Sequence, residues 1–435
     1  MDQKKTSPLS RIMGNTSIIV SGRLFNAVCS FIFIPWTTQT IGLTAFGQLV
    51  LIIAYTTLIA SLTHMQTWQP LLHYGSTLFH KQDERKFYQI LAFCIRLECL
   101  GSVIGLFIGL VGIAFSGVLF GWPPQLRPIA IYCALTILFM NTGWSSGLMQ
   151  LLNMFRLSTL AQSSGTIVRT LGCFIGYEYH LSMPYFLAVW SVTQLTVFLC
   201  FTSAGIYLVR HKLRTKFPWK ELFFPSLHIK GIWGFTLGTS ISGIIYACFT
   251  QASTLMVGAS LGAADAAIFN VANQVTTSMA RPATLVVPSL YPEFVKLRDN
   301  KDWHTFRRTL LNIMYIISII AIVLLLVSAL FGNRILAFML HHPCLNSTTV
   351  INLLTVNAIL DIAITPLEPI LTVLGNISYI LRAKGLALAL YVPTFLGLTH
   401  LLGINGSATA MIFTTAIIFT LCSYKTVRII TALRY

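Results

Sequence analysis

About twelve apolar stretches of membrane-spanning length run through this chain, and its Lys and Arg residues gather in every second connection between them. The spans are expected near residues 13–36, 46–66, 89–113, 127–146, 158–178, 183–208, 232–254, 266–289, 309–331, 349–374, 385–402 and 405–423. Only 9% of the 435 residues are charged and 55% are hydrophobic, whereas a soluble domain carries roughly 25% charged residues. The expected fold class is therefore an all-α integral membrane protein. Its longest inward loop, roughly 209–231, is basic, contains Pro218 and Pro225, and divides the chain near its midpoint. Two six-helix bundles are expected, at 1–212 and 231–435, joined by a cytoplasmic linker at 213–230.

A formal net charge of +17 would ordinarily point to nucleic acid, but its placement points to membrane topology instead. Lys4, Lys5 and Arg11 precede span one; Lys81, Arg85 and Lys86 separate spans two and three; Arg156 separates four and five. Arg210, Lys212, Arg214, Lys216, Lys220 and Lys230 fall between six and seven, and Lys296, Arg298, Lys301, Arg307 and Arg308 between eight and nine. Arg382 and Lys384 are read between ten and eleven, and Lys425, Arg428 and Arg434 close the chain, while the opposite loops hold only Arg127 and Arg334. Both termini are thus expected in the cytoplasm. The first apolar stretch lacks a small-residue cleavage site and reads as a retained span.

Catalytic signatures are missing. The nine cysteines are scattered without a CxxC pair, His341, His342 and Cys344 have no second ligand cluster nearby, and there is no Walker A, HExxH or GxSxG motif. A weak repeat supports the two-bundle division. Ile41-Gly42-Leu43-Thr44-Ala45-Phe46 is echoed 220 residues later by Leu261-Gly262-Ala263-Ala264-Asp265-Ala266, and the run from Asp83 to Phe87 by the run from Asp302 to Arg307. Six spans per half make the repeat parallel.

Polar residues inside the spans carry the chemistry, because a charge at bilayer depth costs at least ~2.5–3.5 kcal/mol. Arg23, Asn26 and Ser30 share a face of span one, as do Gln162, Thr166 and Arg169 in span five. Span eight carries Asn270, Asn273, Thr277 and Arg281 in one stripe; span ten carries Asn357, Asp361, Thr365 and Glu368. Arg96 and Glu98, two residues apart in span three, cannot share a face. The simplest arrangement turns the four stripes toward a water-filled cavity between the halves. Arg23, Arg169 and Arg281, with Asn26, Asn270 and Asn273, would bind an anionic substrate there, since Arg matches phosphate oxygens with a planar fork of donors. Asp361 and Glu368 are the candidate acids for ion coupling or gating. Pro35, Pro282, Pro366 and Pro369 interrupt spans as hinges or packing kinks.

The chain resembles the polysaccharide-transporter branch of the multidrug/oligosaccharidyl-lipid/polysaccharide (MOP) flippase superfamily, and more narrowly the Wzx-type flippases of O-antigen or exopolysaccharide repeat units. The resemblance rests on Asn15 with the Arg23-bearing span, Ile34-Pro35, Ile41-Gly42 with Phe46-Gly47, Phe155-Arg156-Leu157, and the ending Gly403-Ile404-Asn405-Gly406-Ser407-Ala408. Gln39 and Thr40 stand where members often place a basic residue. The resemblance implies two bundles opening to either side in turn, in a bacterial inner membrane. The implied cargo is an undecaprenyl-diphosphate-linked oligosaccharide. Relatives that flip the peptidoglycan precursor use arginines in spans one and eight, the spans of Arg23 and Arg281. No cofactor is implied; some relatives couple to H⁺ or Na⁺ gradients. Expected partners are the lipid-linked oligosaccharide, membrane lipids and other polysaccharide-assembly proteins. A cation or drug exporter of the same superfamily is the alternative, kept open by Asp361 and Glu368. A membrane-embedded polymerase or transferase is a further alternative, though the outward segments near 114–126 and 332–348 are short for one.

Overall fold

The computed structural model describes residues 8–80, 83–211, 229, 231–284, 294, 297–298, 300, 302–341, 347–374 and 376–432. These are overwhelmingly helical, with no strand among the described residues. Twelve crossings can be followed. The helix Pro8–Thr63 holds span one and the outer part of span two, divided at Gly42, whose φ of 79° and ψ of 163° no helix permits. Span two resumes as Trp68–His80, and span three is Glu84–Ala114. Span four is built from Leu126–Ala134, a 3₁₀ stretch Leu135–Phe139, and Gly143–Leu151. Spans five and six are Phe155–Glu178 and Met183–His211. Span seven joins Ile232–Ala247 to Ser253–Leu261 through a π-helical turn at Cys248–Ala252. Spans eight and nine are Ala263–Thr284 and Trp303–Leu340; ten is Ser347–Ile364 with Leu367–Val373; eleven and twelve are Ile377–Leu402 and Ile404–Ala432.

Among the described residues nine helices are long and apolar enough to cross a membrane, the first covering spans one and two together. Spans five and eight fall outside that set because their polar stripes lower their hydropathy. The outer surface is apolar where lipid would meet it: Leu311, Tyr315, Ile316, Ile322 and Leu326 of span nine are all exposed.

Three features depart from the sequence reading. Arg382 and Lys384 lie inside span eleven, which begins eight residues earlier than expected. Pro35 and Pro282 sit within continuous helices, whereas Pro366 stands at the break of span ten. Further breaks interrupt span two at 64–67 and span four at 140–142. The first follows from Pro70, whose ring cannot accept a helical residue 66 carbonyl and which therefore lies in the first turn of the resumed helix. The second is an Asn turn, in which the Gly143 N–H donates to Asn141 Oδ1 at 3.3 Å.

The chain forms two compact units, Met1–Leu255 and Met256–Tyr435. Residues 213–228 and 230 of the expected linker lie outside the described residues. In the first unit a core of Leu71, Phe87, Ile90, Leu91, Trp144 and Leu148 binds spans two, three and four. In the second, Ala280, Leu324, Ala358 and Ile362 bind spans eight, nine and ten.

Local geometry repeats between the units at offsets of 220 and 219 residues. Positive φ recurs at Gly42 and Gly262, and again at Gly121 and His341. Asp83 and Asp302 are N-caps with φ/ψ of −83°/75° and −83°/74°, accepting from the amides of Lys86 and Thr305. Hydrogen bonds from Lys86 and Thr305 hold the two carboxyls below the usual range. Both caps therefore stabilise above the unfolded carboxylate pKa, and that stabilisation is lost as pH falls through the lowered folded values.

Candidate functional site

Spans one and five of the first unit run parallel and meet in constant register. A Cβ on Gly22 would lie 2.3 Å from Thr159 Cγ2, so only glycine lets the helices come this close. Thr166 Oγ1 donates to Asn26 Oδ1 at 2.8 Å. The Arg169 guanidinium lies over the Phe33 ring, 4.4 Å from its centroid. Trp36 then meets Phe174 at 5.3 Å and Tyr177 at 6.2 Å. Asn26 and Arg169 are thus brought into one seam.

Arg23 flanks that seam, about 60° around the helix from Asn26 and roughly 15 Å along the axis from Phe33. It is exposed, and Arg169 is half-buried. Among the described residues neither has a carboxylate within ion-pair distance. Two unneutralised cations therefore stand at two depths along one helix pair.

In the second unit Asn270 and Asn273 are half-buried in span eight, and the Asn273 carbonyl accepts from Thr276 and Thr277 hydroxyls at 3.1 and 2.6 Å. Arg281 is helical, but its side chain lies outside the described residues. In span ten Asn357 is 3% exposed, and among the described residues its Oδ1 has no partner. One turn on, Asp361 is exposed, while its carbonyl accepts from Thr365 N and Oγ1. Glu368 is paired: its Oε1 lies 2.7 Å from Lys384 Nζ. Arg298 Nη1 donates to the Val373 carbonyl at 2.8 Å and so caps the inner half of span ten.

The Glu368–Lys384 pair predicts a coupling in a double-mutant cycle. Glu368→Ala and Lys384→Ala should each lower the melting temperature in detergent, and the double variant should lose less than the sum of the two, with a coupling of up to about 1 kcal/mol for this partly solvated pair. Additive losses would show that the pair contributes nothing to stability.

Periodicity set Glu98 aside, yet it is 5% exposed. Its Oε1 accepts from Thr67 Oγ1 and from the Trp144 N–H, which opens the inner half of span four. Cys94, Glu98 and Ser102 at i, i+4 and i+8 gave a faint stripe; the partners, 31 and 46 residues away, gave none. Lys384 was likewise hidden, because it was placed in a loop.

Residues 12–298 match the family of polysaccharide biosynthesis proteins. The inner membrane protein YghQ of Escherichia coli (strain K12) is 24% identical over 298 residues, 67% of this chain and 83% of that protein. A multidrug resistance MATE family transporter of the MOP superfamily, in an inward-facing conformation, superposes with a TM-score of 0.73 at 12% identity, covering 95% of both chains. A MOP superfamily transporter from Pyrococcus furiosus, described as having a binding pocket of reverse polarity that suggests a different function, reaches 0.63 at 14% identity, over 98% of this chain and 96% of that one. With two thirds of its length matched by the family and nearly all of it by the MATE fold, the chain is a multi-pass inner membrane protein that belongs to the polysaccharide biosynthesis family.

Proposed function

We propose that the chain flips an undecaprenyl-diphosphate-linked oligosaccharide from the cytoplasmic to the periplasmic leaflet, for assembly of a surface polysaccharide such as O-antigen or exopolysaccharide. The observation that carries this reading is the pair Arg23 and Arg169, two cations without acids at separate depths on spans one and five. A diphosphate sugar cannot enter hydrocarbon unaided. Arg23, nearer the cytoplasmic end by the charge pattern, receives the diphosphate, and Arg169 takes it over nearer the periplasm. Asn26, Asn270 and Asn273 offer amide groups to sugar or phosphate, and Arg281 supplies a third cation. The polyprenyl tail stays in lipid throughout.

Asp361 is the coupling acid of this reading. It is exposed within a span, and Glu368 is already engaged by Lys384. A proton or Na⁺ on Asp361 would bias one of the two states that alternating access requires. The polymerase and other assembly proteins are the partners that would consume the delivered unit. A cation exporter is the second reading, favoured by that same carboxylate.

Complementation of a flippase-deficient strain tests the proposal. Wild type should restore surface polysaccharide, and Arg23→Ala with Arg281→Ala should reduce it at least about tenfold at equal protein level, as expected for losing charge-assisted contacts worth ~1.5 kcal/mol or more. Drug resistance without any polysaccharide phenotype would transfer the argument to the exporter.

A further inference from the structure

We propose that Glu98 is a proton-binding site that holds the inner halves of spans two and four to span three when protonated and loosens them when ionised. The site is independent of what the protein carries.

Three residues on one face of span three hold the break of span two. Cys94 Sγ donates to the Thr67 carbonyl at 3.4 Å, Glu98 takes the Thr67 hydroxyl, and Ser102 Oγ lies 3.1 Å from His64 Nε2. The break of span four ends at the same carboxylate. The Trp144 amide donates to it, and the Gly143 amide also interacts with it. A Cβ on Gly143 would fall 2.3 Å from Thr67 Oγ1 and 2.9 Å from Glu98 Oε1, so glycine is what admits the carboxylate here. One side chain thus sits on two hinges.

The two half-helices beyond those hinges are packed together. A Cβ on Gly147 would lie 3.0 Å from Trp68 Cα and 3.2 Å from a Leu71 methyl. Anything that frees one hinge is felt by the other. Span ten breaks at the corresponding place in the second unit, with Asp361 before and Glu368 after. There Glu368 has Lys384. Among the described residues no Lys, Arg or His pairs with Glu98.

The surroundings leave the proton as the ligand. Arg96 sends its Nε back to the Ala92 carbonyl of its own helix at 3.4 Å. Span two contributes His64, held by Ser102, while His73 stacks on Phe235 and Tyr74 meets the same ring edge-on. Span three itself adds the thiols Cys94 and Cys99; the outer half of span four offers Cys133, and its inner half, Gly143–Leu151, has no titratable residue. With donors rather than carbonyls around the carboxylate, a metal cation would meet N–H groups, whereas a proton needs only a free lone pair. Proton uptake turns the carboxylate into a neutral acid, whose burial at 5% exposure costs far less than that of an anion with no cation beside it. The bonds from Thr67 and Trp144 return only part of the anion's desolvation, although charge assistance strengthens each of them. Loss of the proton therefore favours the opened hinges, in which water reaches the carboxylate.

Hydrogen exchange of the full chain in lipid nanodiscs, read by mass spectrometry without substrate, tests this. Peptides spanning 64–71 and 140–147 should exchange at least about fivefold faster near pH 8.5 than near pH 5.5, after correction for intrinsic rates. Glu98→Gln, a neutral mimic, should show the slow exchange at both pH values, and His64→Gln should keep the wild-type pH response. Protection in wild type that does not change with pH would overturn the proposal, as would loss of the response in His64→Gln. The wild-type curve and His64→Gln decide the matter even if Glu98→Gln fails to fold. None of these readouts needs transport, so failure here leaves the flippase reading untouched.

Discussion

Arg169→Met is expected to stabilise the purified protein and to abolish transport. The guanidinium is half-buried within a span, lies over the Phe33 ring and has no carboxylate in reach among the described residues. Placing that charge in the membrane costs ~2.5–3.5 kcal/mol, and a cation–π contact returns about 0.5–2 kcal/mol. A methionine of similar length keeps the packing against span one and removes the charge. The net gain should be about 1 kcal/mol, seen as a rise of a few degrees in melting temperature. Surface polysaccharide in a complemented strain should fall to the level of the empty vector. Arg169→Lys should keep part of the activity, because it preserves charge but not the planar fork. A lower melting temperature with transport intact would mean that Arg169 is a tie between spans one and five and not a contact for cargo.

Gly406→Ala is expected to be the most damaging single-methyl change in the second unit. A Cβ there would lie 1.9 Å from the Leu398 carbonyl oxygen and 2.3 Å from its carbon. Both are backbone atoms, so no rotamer change relieves the clash. The turn between spans eleven and twelve is tight because Gly403 adopts φ 60° and ψ −139°. Buried Ser407 and Thr399 close it with a 2.9 Å hydroxyl contact, and Ala408 is fully buried. The cost should reach about 3 kcal/mol, the upper end of overpacking. Size-exclusion profiles of tagged protein should show little monodisperse material. Gly403→Ala should cost less, about 1–2 kcal/mol, because it strains one backbone angle without a clash. Equal damage at both positions would defeat the steric account.

That turn also shows how a loose sequence resemblance becomes physics. Gly403-Ile404-Asn405-Gly406-Ser407-Ala408 was readable as a family-like ending, but the reason each small residue stands there lies in the approach of Leu398, eight residues before Gly406. The polar stripes behaved similarly. Their spacing placed Asn26 and Arg169 on particular helix faces, and periodicity reaches no further than one helix. It could not show that span five would lay Arg169 over Phe33, or that Lys384 would reach back to Glu368. Glu98 was passed over for the same reason. Its neighbour Arg96 drew attention to a pair that cannot form, while the true partners came from the two broken spans.

The all-α class and the count of about twelve crossings were legible in the sequence, because burial of apolar residues in lipid acts on each segment separately. The helix breaks were half-determined: Pro70 and Pro366 forbid a carbonyl contact within their own turn, whereas the break at 140–142 depends on Asn141 folding back locally and on Glu98 arriving from another span. Only the tertiary structure decided which intramembrane charges are neutralised and which stand alone. That choice is made by which helix faces meet, and an attraction that falls with distance cannot be read from residues far apart in the chain until packing brings them together.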